Sequence, residues 1–363
     1  MQNKDAFLVL AKAGLWEQVA RISPYGKVDF SVVLHLAQEQ SVLGLVTAGL
    51  DHVEDVKVPY ETRLMFVGCV SEIERRNRVM NQFVAELVGK MHAEGIKAVL
   101  VKGQGAAQCY EKPLWRSAGD IDFLLDAENY EKAKAMLSSL ADKVEMEDKK
   151  KLHQGLKMRG FDIELHGKMP FALSQKADAV IDKVLGESVT EGTCVWRVNE
   201  TDVLLPKPDN HVFLVFTHFL HHFFIEGVGL RQVCDWCRLL WTNRDTIDKD
   251  LLERRLQEAG LMSEWQVFAS IAVEYLGMPA EAMPFYTKSR GFSRKAKRAV
   301  AWIMKSGSFG HKKDVSYRER YSRKISKMIT FFRRMGDYTR FALIFPADSP
   351  KFFLGYLVNR VGL

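Results

Sequence analysis

The chain has 363 residues, 47% of them hydrophobic and 27% charged, and it carries a net charge of +7. This is an ordinary composition for a globular protein. The five cysteines are scattered and odd in number, which argues against a disulfide framework. No apolar run reaches the roughly 18 residues of a transmembrane helix, and no signal peptide is predicted, so we expect a cytoplasmic protein.

The N-terminal part is predicted to be helical over residues 1–93, because its apolar residues recur at helical spacing. Short helices are predicted within residues 4–56. Residues 59–93 have the same period over a longer stretch and predict one long helix, for which Gly95 is a plausible C-terminal cap.

The pattern changes after that helix, where strand-like segments alternate with helical ones. Three strands and two helices are predicted in chain order at residues 96–101, 106–110, 120–125, 127–140 and 161–166. The first of these is a β-branched run typical of a buried strand. Alternating strands and helices predict a small α/β unit, which we assign to residues 94–205.

The C-terminal part, residues 206–363, again has helical periodicity. Its segment 281–340 contains 17 Lys/Arg and 4 Asp/Glu, with aromatic residues interleaved. This composition suits an anionic partner, either a nucleic acid or an anionic membrane surface at which the protein would bind peripherally. The alternative is a docking helix that covers the core and leaves its basic face in solvent.

The sharpest local feature is a pair of aspartates, Asp120 and Asp122, at the start of the second predicted strand. Residues two apart in a strand project to the same face, so the two carboxylates would lie side by side. They would repel each other unless a cation lay between them. Mg²⁺, bound through carboxylates and substrate phosphates, is the natural cation. The alternative is a solvated turn or edge strand.

A glycine-containing turn follows the first predicted strand and opens a predicted helix. Glycine lets the main chain approach a phosphate closely, and amides at a helix start favour an anion. The candidate nucleotide-binding residues of this turn are Lys102, Gly103, Gln104 and Gly105. Arg116 is a further candidate that would contact a phosphate, unless it pairs with Asp120 or Glu111 instead.

The third predicted strand has Asp162, Glu164 and His166 on one face. A third carboxylate from a neighbouring strand would complete a two-metal site, which stabilises the attacking and leaving oxygens of a phosphoryl displacement. A carboxylate there could also act as the general base for an acceptor hydroxyl. The alternative is an ordinary alternating strand with one solvent face.

Two other groups of residues have weaker signals. His218 and His222 are four residues apart in a predicted helix, but no zinc-protease signature accompanies them, so packing or support of other ligands is favoured. Cys234 and Cys237 form a lone CxxC without an obvious second ligand pair, which favours a structural interpretation.

The stretch from Gly95 to Leu125 resembles the uncharacterised nucleotidyltransferase family of the DNA polymerase β-like superfamily. Members show a Lys-Gly turn, a Tyr, an Arg, an Asp-hydrophobic-Asp strand, an acidic-Leu-His strand and a helical His followed by Arg and Asp. The matching positions are Lys102-Gly103, Tyr110, Arg116, Asp120, Asp122, Glu164-Leu165-His166, His218, Arg231 and Asp235. The resemblance covers roughly residues 60–245.

The resemblance implies an α+β fold, in which a small mixed-sheet nucleotidyltransferase core is flanked by helical N- and C-terminal parts. It implies two Mg²⁺ ions, with Mn²⁺ as an alternative, held by catalytic Asp120, Asp122 and Glu164 and supported by His166. Gly103 and its neighbours would hold the triphosphate of an NTP, with ATP as the default. The nucleotide would be transferred to a hydroxyl of a small molecule, a protein or an RNA, with release of pyrophosphate.

Two positions depart from the superfamily pattern. Gly103 is followed by Gln104 where Gly or Ser is usual, and the third acid is Glu164 where Asp is commoner. Both departures favour a second hypothesis, a catalytically inactive nucleotide-binding regulatory module on the same fold. A third hypothesis is a nucleic-acid or membrane-surface binder that acts through residues 281–340.

Overall fold

The computed structural model of the chain describes residues 2–169, 171–190, 192–225, 227–307, 320, 322–346 and 349–350. The basic segment predicted at residues 281–340 is therefore described only in part, because residues 308–319 and 321 lie outside the described residues.

Helices make up most of the described chain. Four precede the sheet: α1 (Gln2–Trp16), α2 (Phe30–Glu39), α3 (Leu43–Asp51) and α4 (Tyr60–Ala93). Three lie between strands: α5 (Gly103–Ala107), α6 (Ala127–Leu140) and α7 (Gln175–Thr190). The others follow the sheet: α8 (Pro208–Ile225), α9 (Leu230–Thr242), α10 (Lys249–Ala259), α11 (Met262–Glu274), α12 (Arg290–Ser306) and α13 (Arg323–Ala342). None of these described helices is long and apolar enough to cross a bilayer.

The strands of the described chain form one mixed sheet in the order β3-β4-β5-β2-β1-β7-β6. They are β1 (Val99–Val101), β2 (Ile121–Leu124), β3 (Lys143–Val144), β4 (His153–Met158), β5 (Phe161–His166), β6 (Thr193–Val198) and β7 (Thr201–Pro206). The central pairs β1–β7 and β2–β5 are parallel, and the other pairs are antiparallel. A mixed sheet flanked by helices confirms the predicted α+β class.

The register of the central strands determines where the polar residues meet. Asp122 lies opposite Val101 in β1 and opposite Glu164 in β5. Val101 is the last residue of β1, so the Lys102 turn begins beside Asp122. Three segments that are far apart in the sequence therefore meet at one end of three adjacent strands.

Successive side chains of β2 point to opposite faces of the sheet and pack into two different apolar layers. Ile121 and Phe123 are buried against the C-terminal half of α4 and against α6, whereas Leu124 belongs to the apolar cluster of the surrounding helices. Burying a large apolar side chain of this kind contributes roughly 2 kcal/mol. Because the side-chain period of a strand is two, Asp122 shares the face of Leu124 and points toward the C-terminal helices.

The N- and C-terminal helices share one core. A single apolar cluster contains Phe7 and Leu36 from the N-terminal helices and Trp236 and Trp265 from the C-terminal ones. The Trp16 indole also donates a hydrogen bond to the carbonyl oxygen of Leu276, at 2.5 Å. The helices that precede the sheet in the sequence therefore pack against the helices that follow it.

The structure adds four strands and a helix that the sequence pattern does not predict: β3, β4, β6, β7 and α7. Strand β4 has the sequence HQGLKM, and three of the six residues of β6 are exposed, so neither has the apolar run of a buried strand. Two predicted elements differ in their bounds. The first strand is shorter than residues 96–101, and the helix predicted at 106–110 begins at Gly103.

Helix α12 lies in the described part of the basic segment. It buries Ala299 and Ile303, whereas Arg290, Arg294 and Lys297 are exposed. For this helix the structure has the geometry of the docking alternative, with an apolar face on the core and a basic face in solvent.

Candidate functional site

A cavity of about 280 Å³ lies between the central strands and helices α8 and α9. Its polar lining combines carboxylates with cations and imidazoles: Lys102, Arg116, Asp120, Asp122, Glu164, His218, His222, Arg231 and Asp235. The cavity therefore collects most of the site residues predicted from sequence, together with α8 and α9 residues from the helical C-terminal part.

Three carboxylates converge on one wall of this cavity. Asp120, Asp122 and Glu164 each offer an oxygen, and these oxygens lie within 4.8 Å of one another. The negative charge of Asp122 raises the pKa of Asp120, and burial raises it further. Bringing these oxygens so close costs electrostatic energy, which a divalent cation with a preference for oxygen ligands would offset. The donor set and its mutual repulsion fit Mg²⁺.

Lys102 supplies a buried positive charge beside this wall. Its Nζ lies 2.7 Å from Asp122 Oδ1 and 3.2 Å from His218 Nε2. Burial lowers the pKa of Lys102, but the charges of Asp122 and Asp120 outweigh burial and raise it above its ordinary value. The backbone of Lys102 has φ +60° and ψ −145°, a conformation that costs about 1–3 kcal/mol for a residue other than glycine. Such strain is typical of functional turns.

Gly103 lets the turn pass close to the loop before β2. Its φ is +38°, and a Cβ added there would lie 3.4 Å from the carbonyl oxygen of Asp120. The Gln104 side chain points away toward α4, where its Nε2 donates to Asn77 Oδ1 at 3.0 Å. A Cβ at Gly105 would lie 2.9 Å from the Leu205 side chain. Among the predicted turn residues, Lys102 and Gly103 line the cavity, and the side-chain positions of Gln104 and Gly105 face the protein interior.

His166 links two of the carboxylates. Its Nε2 lies 2.9 Å from Asp122 Oδ1 and 3.2 Å from Glu164 Oε2. Burial lowers the pKa of His166, but its hydrogen bonds to Asp122 and Glu164 raise it by more. Burial alone would raise the pKa of Glu164, yet hydrogen bonds from His153 and His166 hold it far below its usual range. His166 thus contacts two of the three carboxylates.

His153 is a site residue that the sequence pattern does not identify. Its Nε2 lies 3.5 Å from Glu164 Oε2, and the antiparallel register places it opposite His166. It lies at the start of β4, which has no strand-like pattern, and only the pairing of β4 with β5 brings it to the site. Asp162 shares the face of Glu164 but is exposed, and it pairs with Lys157 at 3.1 Å.

Arg116 forms a buried cluster with Asp235 and Tyr110. Its Nε and Nη2 donate to the two oxygens of Asp235 at 2.8 and 2.7 Å, and the Tyr110 hydroxyl donates to Oδ1 at 2.7 Å. Burial lowers the pKa of Arg116, but Asp235 raises it by more. The partner of Arg116 is thus Asp235 on α9, whereas Glu111 pairs with Arg238. This cluster fixes α9 against the loop that leads to Asp120.

Two histidines of α8, His218 and His222, also line the cavity. His218 Nε2 lies 3.1 Å from His222 Nε2, and burial together with the charge of Lys102 lowers the pKa of His218 well below its ordinary value. Since a lysine ammonium only donates, His218 Nε2 is the acceptor and its ring is neutral. Cys234 and Cys237 are buried, and burial raises the pKa of both thiols. In the described chain, neither candidate metal cluster includes these residues.

A family model described as an uncharacterised nucleotidyltransferase matches residues 26–277. The matched span contains every cavity residue named above and extends the predicted resemblance at both ends. No curated protein and no solved structure matches the chain significantly.

Proposed function

The chain belongs to the uncharacterised nucleotidyltransferase family, and from this premise we propose a metal-dependent enzyme that transfers NMP from an NTP to a hydroxyl acceptor. ATP is the default donor, pyrophosphate is the second product, and the acceptor is a small molecule, a protein or an RNA. This proposal rests on the convergence of three carboxylates within 4.8 Å, in a cavity that is also lined by buried lysine and arginine side chains.

Asp120, Asp122 and Glu164 would hold the metal, two Mg²⁺ ions in our proposal or Mn²⁺ in their place. When bound, such ions neutralise phosphate charge and lower the pKa of a coordinated hydroxyl. His166 keeps Asp122 and Glu164 oriented through its two hydrogen bonds. Support of this kind around ligating carboxylates typically changes metal affinity or activity by about 10–100-fold.

The turn after β1 would bind the triphosphate. Lys102 offers an ammonium that the charges of Asp122 and Asp120 keep protonated. Gly103 would let the main chain approach the phosphates closely. The contributions of Gln104 and Gly105 stay predictions and would come from their main-chain amides. Arg116 would act on the phosphates from the cavity wall while Asp235 holds its orientation.

The mechanism is tested by the double variant Asp120→Asn/Asp122→Asn. We expect magnesium-dependent pyrophosphate release to fall by at least about a hundredfold, since both substitutions remove charged metal ligands. Asp162→Asn is the matched control, because Asp162 lies on the same strand face as Glu164 but is exposed and paired with Lys157. A folded double variant that keeps full activity would contradict the mechanism.

The inactive-module hypothesis predicts nucleotide binding without turnover. Calorimetry with each NTP and Mg²⁺ measures binding, and a pyrophosphate assay over a broad set of hydroxyl acceptors measures turnover. Tight binding with no pyrophosphate release across that set would favour the regulatory module over the enzyme.

The exposed basic face of α12 would also suit an anionic partner, in addition to the packing of this helix on the core. Arg290, Arg294, Lys297, Arg298 and Lys305 are exposed along this helix. Retention on heparin or anionic liposomes that weakens steeply with salt would support an electrostatic partner there, and salt-insensitive retention would contradict it. The cytoplasmic location and peripheral membrane attachment stay predictions.

A further inference from the structure

Arg231 is a buried cation in the cavity wall. It lies in α9, only 8% of the residue is exposed, and its Nη1 donates to the carbonyl oxygen of Ser117 at 2.7 Å. Ser117 belongs to the loop that continues into Asp120. The guanidinium is therefore held beside the carboxylate wall by a main-chain contact and lines the same cavity as Lys102.

The surroundings of Arg231 include a second buried guanidinium. Burial and the charge of Arg116 lower the pKa of Arg231 by more than the charges of Asp235 and Asp120 raise it. Arg116 donates to both carboxylate oxygens of Asp235, and the Tyr110 hydroxyl donates to Oδ1. Two guanidiniums close together in a buried wall repel each other, and an anion that enters the cavity would offset that cost.

The lining of the cavity thus combines negative and positive charges. The negative charges come from Asp120, Asp122 and Glu164. The side chains of Lys102 and Arg231 add positive charges to the lining of the same cavity. A polyphosphate with bound metal has the complementary distribution, because its metal faces carboxylates while its outer phosphate oxygens need donors. A guanidinium meets phosphate oxygens in a fixed, bidentate geometry.

We propose that Arg231, with Lys102, binds the polyphosphate chain of the nucleotide beside the carboxylates of Asp120, Asp122 and Glu164. This inference rests on the proposed function and adds to it the residue that holds the phosphates. The same contact would hold pyrophosphate before it leaves. Inorganic tripolyphosphate, which lacks the base and the sugar, should therefore bind at this position too.

The test measures the affinity of the full chain for ATP and for inorganic tripolyphosphate, each with Mg²⁺, by calorimetry. We expect Arg231→Met to weaken both ligands by about tenfold to a hundredfold, the loss typical of one charge-assisted hydrogen-bonding group. Arg231→Lys, which keeps the charge without the planar fork, should recover part of that loss. Far-UV circular dichroism and thermal melting verify that each variant is folded.

Arg238→Met is the matched control. Arg238 lies on the same helix and is also buried, but it bonds to the Cys109 and Leu15 carbonyls and to Glu111 and does not line the cavity. It should leave both affinities unchanged. If the wild type binds ATP and the folded Arg231 variants bind it equally well, the inference is overturned and the proposed function stands. If the wild type binds neither ligand, both are overturned.

Discussion

The closest contact of a cation with the carboxylate wall is the 2.7 Å pair between Lys102 Nζ and Asp122 Oδ1. The ammonium neutralises charge at the position where a metal ion would bind Asp122. In the proposed function, lysine and metal would therefore compete for the same oxygen, while nucleotide phosphates would attract both. Lys102 would then couple metal binding to nucleotide binding.

This competition predicts an unusual phenotype for Lys102→Met. Without nucleotide, we expect the variant to bind Mn²⁺ about tenfold more tightly than the wild type, because a nearby like charge is removed. With nucleotide, we expect weaker ATP binding. Electron paramagnetic resonance of free Mn²⁺ measures the first effect and calorimetry the second. Lys97→Met is the control, since Lys97 is exposed and its Nζ bonds to the Val189 carbonyl. Unchanged or weaker Mn²⁺ binding in Lys102→Met would contradict the competition.

Asp178, in the first turn of α7, predicts a pH effect on stability. Burial raises the pKa of Asp178 to about 6. This folded value lies above the unfolded one, so the contribution to stability is full below about pH 4 and is lost as the pH rises through 6. At pH 7.5 the buried carboxylate therefore destabilises the fold.

We expect Asp178→Asn to raise the free energy of unfolding by about 1–2 kcal/mol at pH 7.5 and to change it little at pH 4. The amide oxygen can still accept the hydrogen bond from the Leu173 N–H. Urea unfolding at both pH values measures the effect, with Glu258→Gln, an exposed acid on α10, as control. An equal effect at the two pH values would rule out titration as the cause.

At the scale of elements, the site depends on helices that do not line it. The turn Pro113–Trp115 leads into Arg116, and Asn77 of α4 donates to the carbonyl oxygens of Leu114 and Arg116 at 2.7 and 2.8 Å. Helix α3 packs on the other side of this turn, where a Cβ at Gly44 would lie 2.1 Å from the Trp115 carbonyl oxygen. The N-terminal helices thus position the loop that carries the buried arginine.

Gly44→Ala should separate α3 from this turn, because main-chain atoms cannot yield as a flexible side chain can. We expect a loss of about 2–4 kcal/mol in the free energy of unfolding, measured by urea denaturation. Gly68→Ala on the exposed face of α4 is the matched control, since its Cβ would meet nothing within 4 Å. It should stabilise the chain by about 0.5–1 kcal/mol. A neutral Gly44→Ala would show that the contact can relax without cost.

At the scale of the whole molecule, the sheet and the helices contribute different halves of the site. Asp122 and Glu164 lie in β2 and β5 and Asp120 directly precedes β2, whereas His218, Arg231 and Asp235 come from α8 and α9. The family match over residues 26–277 includes both halves. The shared apolar cluster of the N- and C-terminal helices brings them together, so the chemistry depends on packing over most of the chain.

The sequence by itself identified the segments that meet at the candidate site, because their signals are local. Period-two alternation in the second and third predicted strands placed Asp120 with Asp122, and Asp162 with Glu164, on shared strand faces. The glycine turn after β1 predicted a close approach of the main chain to a phosphate. Only the tertiary structure decided that Arg116 pairs with Asp235, that His153 lies beside Glu164, and that Gln104 points toward α4. These contacts join residues distant in sequence, and strand register and helix packing, rather than local periodicity, bring them together.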